Sequence, residues 1–356
     1  MNDKKIKNIE GLMDREIKEV VGCTEPASIA YAFSTALLEL EKQTGEEFGP
    51  EDLKVNLKLS KDVFRNVSTV KIPIIKKKGP KAATASGLVL KGDSLNMFKD
   101  FDWETQNKVT ELVDKNKWYT GYPVDRRGIY VEAEVSSGSD KVKVVIESEH
   151  DLIKSISYNG KRVFFEDNNK NKREQTFNSL REIMNIVEDR PPVLIDKVKN
   201  FINRHGKNVK KYGYKNYLPG VKDLTLKRME GEPVKIMTIT GSGNQGIFLG
   251  VPLYIVYREY GEEFVPSALF TVLTQIHLSA EKGRISSTCG LADKAALSLT
   301  AGLSYFKYSD LNKLKNNVEM VEETLQGLIC EGAKMSCSYK ASISLKAVQE
   351  IIRDNI

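Results

Sequence analysis

The stretch STCGLADKAALSLTAGLSY, residues 287–305, opens on a Thr-Cys-Gly step and then runs as apolar, Ala- and Leu-rich sequence. Ala and Leu are strong helix formers, and a helix that is apolar on every side needs other helices around it. Segments of helical character surround this one, at 245–261, 265–281, 309–329 and 338–354. The C-terminal third therefore reads as an α-helical bundle. Helical periodicity at 176–188 and 193–205 extends it backwards. Near the N-terminus, 5–20 and 25–43 also read as helices. Pro26 is tolerated in a first turn, and the second segment shares the apolar texture of the bundle, so it is expected to pack there.

The texture between these parts is different. LKVNLKLS (53–60), IYVEAEVSS (129–137) and KVKVVIES (141–148) alternate apolar and polar residues, as half-buried strands do. Residues 153–167 read as a hairpin turning at Asn159-Gly160, and 102–117 as a helix. The expected fold class is α+β. N-terminal helices (1–45) would pack on a helical catalytic domain (171–356), with an α+β module (46–170) inserted and a polar linker at 166–175.

Composition narrows the function classes. The chain has 356 residues, 40% of them hydrophobic, with a formal net charge of +6. Its lysines are scattered, and the clusters at 75–81 and 204–215 read as solvated loops, so no nucleic-acid partner is expected. The charged N-terminal segment lacks an apolar signal core, and no stretch approaches ~20 uninterrupted apolar residues. A cytoplasmic protein with no membrane partner is expected, and its four cysteines should be reduced. The apolar helices 245–261 and 290–305 leave surface for a homodimer.

Reduced cysteines point to metal or catalytic roles. Cys23, Cys289, Cys330 and Cys337 sit beside helix starts or glycine-containing steps, where amide N–H groups and the helix dipole favour thiolate. No CxxC occurs, which excludes zinc ribbons and ferredoxin-type runs. Ligands 41 and then seven residues apart, as Cys289, Cys330 and Cys337 are, would meet at one end of a helical bundle. Three thiolates would leave one position of a four-iron cluster open, and an open iron is a Lewis acid. The glycine-rich segment TITGSGNQGIFLG (238–250) precedes an apolar helix, where backbone amides could hold a carboxylate or simply cap the helix. His277 reads as a core residue of its helix, and His150 and His205 as surface loop residues. No GxSxG supports a serine triad.

Four segments in order, VGCTEPASIAYA, TGSGNQGI, GRISSTCG and GLICEGAKMSC, resemble the motifs of iron–sulfur L-cysteine desulfidases. That family is similar in turn to the catalytic α domain of bacterial iron–sulfur L-serine dehydratases. Residues 64–87 look like a shortened version of a family segment richer in glycine. The resemblance implies a [4Fe-4S] cluster without net redox change, held by Cys289, Cys330 and Cys337. It implies β-elimination of L-cysteine to pyruvate, ammonia and sulfide, with Cys23 as the proton-transfer group; a competing assignment makes Cys23 a ligand in place of Cys337. Ser242, Gly243, Asn244 and Gln245 would hold the substrate carboxylate and Glu25 its ammonium, with Asn66 nearby. Lys334 would tune cluster charge, against a default of solvation. Gly290 would give the cluster room to approach. L-serine dehydration is the alternative chemistry, and a non-catalytic iron–sulfur or thiol sensor the alternative class.

Overall fold

The computed structural model describes residues 2–92, 94–115, 117–166 and 177–354. The chain begins with α1 (Asp3–Glu16), a short strand β1 (Glu19–Val21) and the long helix α2 (Thr24–Thr44). Strand β2 (Lys54–Ser60) follows, then α3 (Lys61–Val67), α4 (Pro80–Leu90) and α5 (Trp103–Asp114). Next come β3 (Tyr119–Val124), β4 (Tyr130–Ser137), β5 (Asp140–Glu147), β6 (Ile153–Tyr158) and β7 (Lys161–Phe165). With β2 they form one sheet in the order β3-β2-β4-β5-β6-β7, antiparallel except where β2 lies beside β3. The protein is α+β.

Alternation decides which face of this sheet is covered. Leu57 pairs with Ala133 and Val135 with Val142, and all four are buried. The opposite face carries charge, with Lys58 2.8 Å and Lys143 3.7 Å from Glu132. Helix α2 packs against β4, β5 and α4. The placement of 25–43 in the C-terminal bundle is therefore corrected. Small residues let α2 lie close to its neighbours: a Cβ at Gly87 of α4 would stand 2.2 Å from the carbonyl oxygen of Ala30. An Ala- and Leu-rich texture suits a helix on a sheet as well as one in a bundle, so composition alone does not choose between them.

The remaining helices are α6 (Leu180–Glu188), α7 (Pro192–Tyr212), α8 (Tyr217–Met229), α9 (Gly243–Tyr260), α10 (Val265–Lys282), α11 (Ala296–Tyr308), α12 (Leu311–Leu325) and α13 (Ser336–Asp354). A π-helical turn, Leu291–Ala295, leads into α11. α10 and α11 pack on each other at the centre, with α9, α12 and α13 around them. Strand β8 (Lys235–Met237) pairs antiparallel with β1, and α1 packs on α7, which ties the N-terminus to this helical part. Among the described residues no helix is long and apolar enough to cross a membrane. The linker read at 166–175 lies, apart from Glu166, outside the described residues.

His205 is not in a surface loop. It is fully buried in α7, which runs beyond the expected end at 205, and it follows Val198, Phe201 and Ile202 on the inward face. Its Nε2 lies 3.2 Å from the carbonyl of Met237. Burial pushes its pKa down to about 3, partly opposed by that carbonyl. Below the ordinary histidine pKa the unfolded chain takes up a proton that the folded chain refuses. His205 therefore lowers stability as pH falls from ~6.5 towards 3. Between pH 7 and 5 this amounts to about 2 kcal/mol. Urea unfolding of His205→Asn should show a flatter pH dependence over that interval than wild type, and an unchanged slope contradicts the assignment.

Candidate active site

All four cysteines line one cavity of about 110 Å³. Glu25, Asn66 and residues 242–245 line the same cavity, so the site residues expected from the sequence are gathered there. All four cysteines are free thiols. Lys334 is not among the lining residues.

Two of the cysteines meet through a short antiparallel bridge between Thr288 and Ile329. The Cys289 N–H donates to the carbonyl of Leu328 (2.8 Å), and the Cys330 N–H to that of Ser287 (2.7 Å). The chain then turns through Gly332 and restarts as α13, whose second residue is Cys337. The Cys337 thiol faces the Gly332 carbonyl at 3.6 Å. Cys23 arrives from another direction, as the residue before α2.

The glycine-rich segment forms a tight turn. Thr240 and Gly241 both have positive φ, and Ile239 and Ser242 exchange backbone hydrogen bonds. Ser242 then caps α9, its Oγ accepting from the Gln245 N–H at 3.3 Å. The Gln245 side chain is anchored in turn, its Oε1 accepting from Gln275 (2.6 Å). The Asn244 Oδ1 accepts from Arg228. The side chains of 242, 244 and 245 thus build the turn. The Gly243 and Asn244 amides, first in the helix, have no intrahelical acceptor and can serve an anion.

The third component was hidden in the sequence. His150 is only 4% exposed and lines the cavity; its reading as a surface loop residue is corrected. Among the described residues neither ring nitrogen has a hydrogen-bond partner, and Nε2 lies 3.9 Å from Glu25 Oε1. That same oxygen accepts from Asn66 Nδ2 at 2.7 Å. His150 follows β5 in a loop secured by Arg284, which pairs with Glu149 (3.3 Å) and with Glu16 of α1. No motif marks it. Its buried neighbours come from α2 and from the turn at Gly241, neither of which is near it in sequence.

Burial dominates the electrostatics. It pushes the Cys23 thiol well above the usual range, Glu25 adds to the rise, and Arg228 opposes it. Burial also raises Cys289, opposed by the N–H groups of Leu291 and Ala292 that face its sulfur. Cys337 rises for the same first reason, with Cys289 and Cys330 contributing. Burial lowers His150, against the pull of Glu25, so its ring is neutral near pH 7.

The donor set suits an iron–sulfur cluster. Among the described residues no group of three or more His, Cys, Asp or Glu side chains is arranged to hold a metal ion. In a cluster each thiolate takes its own iron, so the sulfurs stand around a cube and not around a point. Three thiols close enough to perturb one another, one of them facing two amide N–H groups, are soft donors of that kind.

Comparison with known proteins follows the same line. A serine dehydratase alpha chain profile matches residues 104–351. The chain belongs to the serine dehydratase alpha chain family. It is 30% identical to a UPF0597 protein of Thermosipho africanus, over 98% of this chain and 90% of that one. It is 28% identical to a UPF0597 protein of Clostridium tetani, over 96% and 86%. The family is one of lyase-type enzymes with an iron–sulfur association.

The thiol environments can be checked by alkylation. In metal-free protein at pH 7.5, Cys23 should react with a maleimide at least ~10-fold more slowly than free cysteine, because each unit of upward shift removes about nine-tenths of the thiolate. Glu25→Gln removes one cause of that shift and should speed the reaction at Cys23. An unchanged rate at Cys23 in Glu25→Gln contradicts this electrostatic picture.

Proposed function

We propose that this protein is a cytoplasmic, iron–sulfur-dependent lyase that β-eliminates L-cysteine to pyruvate, ammonia and sulfide. What supports the reading is the gathering of four free thiols, a buried carboxylate and two helix-start residues, Gly243 and Asn244, around one small cavity. Cys289, Cys330 and Cys337 would hold a [4Fe-4S] cluster. When bound, the cluster supplies a Lewis acid that makes the substrate's β-sulfur a better leaving group.

The chain's own residues do the rest. The Gly243 and Asn244 amides orient the carboxylate. Glu25, fixed by Asn66, receives the ammonium. Loss of the Cα proton and cleavage of the Cβ–S bond give 2-aminoacrylate and sulfide. Tautomerisation and one water then give pyruvate and ammonia.

Cys23 is the proposed proton-transfer group, with the Arg228 charge favouring its thiolate. A second reading assigns the Cα proton to His150, because its unpartnered neutral ring is already a competent base while burial keeps Cys23 protonated. L-serine dehydration remains the alternative chemistry, since the same groups serve a β-hydroxyl.

The test is anaerobic reconstitution followed by a substrate panel read by sulfide and pyruvate release. L-cysteine should give both in equal amounts. Ammonia and pyruvate from L-serine alone shift the assignment to dehydration, and no product from either leaves a non-catalytic sensor. Alanine at Cys289, Cys330 or Cys337 should lower bound iron. Cys23→Ala should keep iron and lose on the order of 10²-fold or more in turnover. Iron lost in Cys23→Ala but kept in Cys337→Ala exchanges those two roles, and an equal turnover loss in His150→Asn with Cys23→Ala still active moves the base to His150.

A further inference from the structure

Two cations in the cavity wall, Arg228 and Lys294, are 1% exposed. Arg228 is engaged in building the site. It donates to the Gly22 carbonyl (2.6 Å) beside Cys23 and to Asn244. Lys294 has no such task. Its Nζ donates to the carbonyls of Gly283 (2.7 Å) and Arg284 (3.3 Å), and among the described residues no carboxylate lies within ion-pair distance. A buried ammonium held by carbonyl dipoles alone is unfavourable for folding, and an apolar side chain of similar length would serve the core better.

The surroundings suggest what balances it. Lys294 belongs to the π-helical turn that begins two residues after Cys289, and such turns often mark functional sites. The charged groups around it are Asp293, with one carboxylate oxygen accepting from Thr288 and the other buried without a partner among the described residues, then the thiols of Cys330 and Cys289 and, with opposite sign, Lys282. Burial depresses its basicity, opposed first by Asp293 and then by the two thiols when ionised. The local backbone makes room for it: a Cβ at Gly290 would stand 3.2 Å from Lys294 Cε and 2.6 Å from Gln245 Nε2. The clearance at Gly290 leaves room for Lys294 and Gln245 in the wall of the cavity that Gly290 also lines.

We propose that Lys294 is the fixed counter-charge of the Cys289 and Cys330 thiolates and, through them, of the iron–sulfur cluster. The proposal rests on the functional reading above and makes Lys294 a positioning residue. It takes the role expected of Lys334, which does not line the cavity. An ammonium built into the cavity wall would offset the negative charge of the thiolates and of the cluster they would hold. Neutralising it should weaken cluster retention and lower the reduction potential, because a nearby positive charge favours the more negative reduced state. The metal-free fold should not suffer, since an unbalanced buried charge has been removed.

The experiment compares wild type, Lys294→Met and Lys294→Gln after anaerobic reconstitution. It reads iron and sulfide per chain, the rate of iron loss to a chelator, the midpoint potential and the melting temperature of the metal-free protein. Both variants should lose iron about tenfold or more faster, in the range usual for groups behind metal ligands. Both should show a lower potential, with metal-free melting equal to wild type or above it. Wild-type retention and potential in Lys294→Met overturn the proposal. So does wild-type behaviour of Lys294→Gln alone, which assigns the role to hydrogen bonding, and so does a clearly lower metal-free melting temperature, which makes the lysine structural. Wild-type protein that binds no iron and sulfide overturns the functional reading instead, and the proposal with it.

Discussion

The Thr288–Ile329 bridge holds together two segments that approach the cavity from different helices. Its two hydrogen bonds, from the N–H groups of Cys289 and Cys330, contribute about 1 kcal/mol each in net stability. Their positional effect is larger. The bridge fixes the backbone of both cysteines at once. The π-helical turn on one side and the Gly332 turn into α13 on the other are then bound to start where they do, and Cys337 follows at the cavity.

The other half of the site comes from the sheet-bearing part of the chain. Asn66 of α3 steadies Glu25, and His150 projects from the loop after β5. Arg284, from the segment after α10, joins that loop to α1 through Glu149 and Glu16. These side chains are mostly buried, so removing one partner would leave an uncompensated charge, a penalty of roughly 3–5 kcal/mol. Further ties run the same way: Thr69 donates to the Ala333 carbonyl (3.0 Å), and Arg65 to that of Ser286 (3.3 Å). The cavity therefore depends on both parts of the fold being in register.

Much of this was legible wherever the signal was local. The apolar helices from 243 onward announce themselves by composition, and Asn159-Gly160 turns its hairpin with both residues at positive φ. The three segments that hold the four cysteines were legible because each sets a reactive residue in a distinctive neighbourhood, and all four thiols line the cavity. Non-local features were opaque. α2 has the composition of a bundle helix yet covers the sheet, because partner choice is not written in helix texture. His205 was hidden by the basic run that follows it, and α7 continues through that run with its charges outward. His150 looks like a turn residue between charged neighbours, and only the approach of Glu25 and Gly241 makes it a cavity wall. α3, α4 and α8 escaped notice because Ser, Thr, Gly and Pro interrupt or border their periodicity.

The central claim is that three thiolates leave one metal corner free for the substrate. Mössbauer spectroscopy of protein reconstituted with iron-57, before and after addition of L-cysteine, reports on it directly. With one open corner, about a quarter of the iron should change its isomer shift and quadrupole splitting while the rest stays put. Four irons that are equally unresponsive, or iron that never assembles into a cluster, would contradict it.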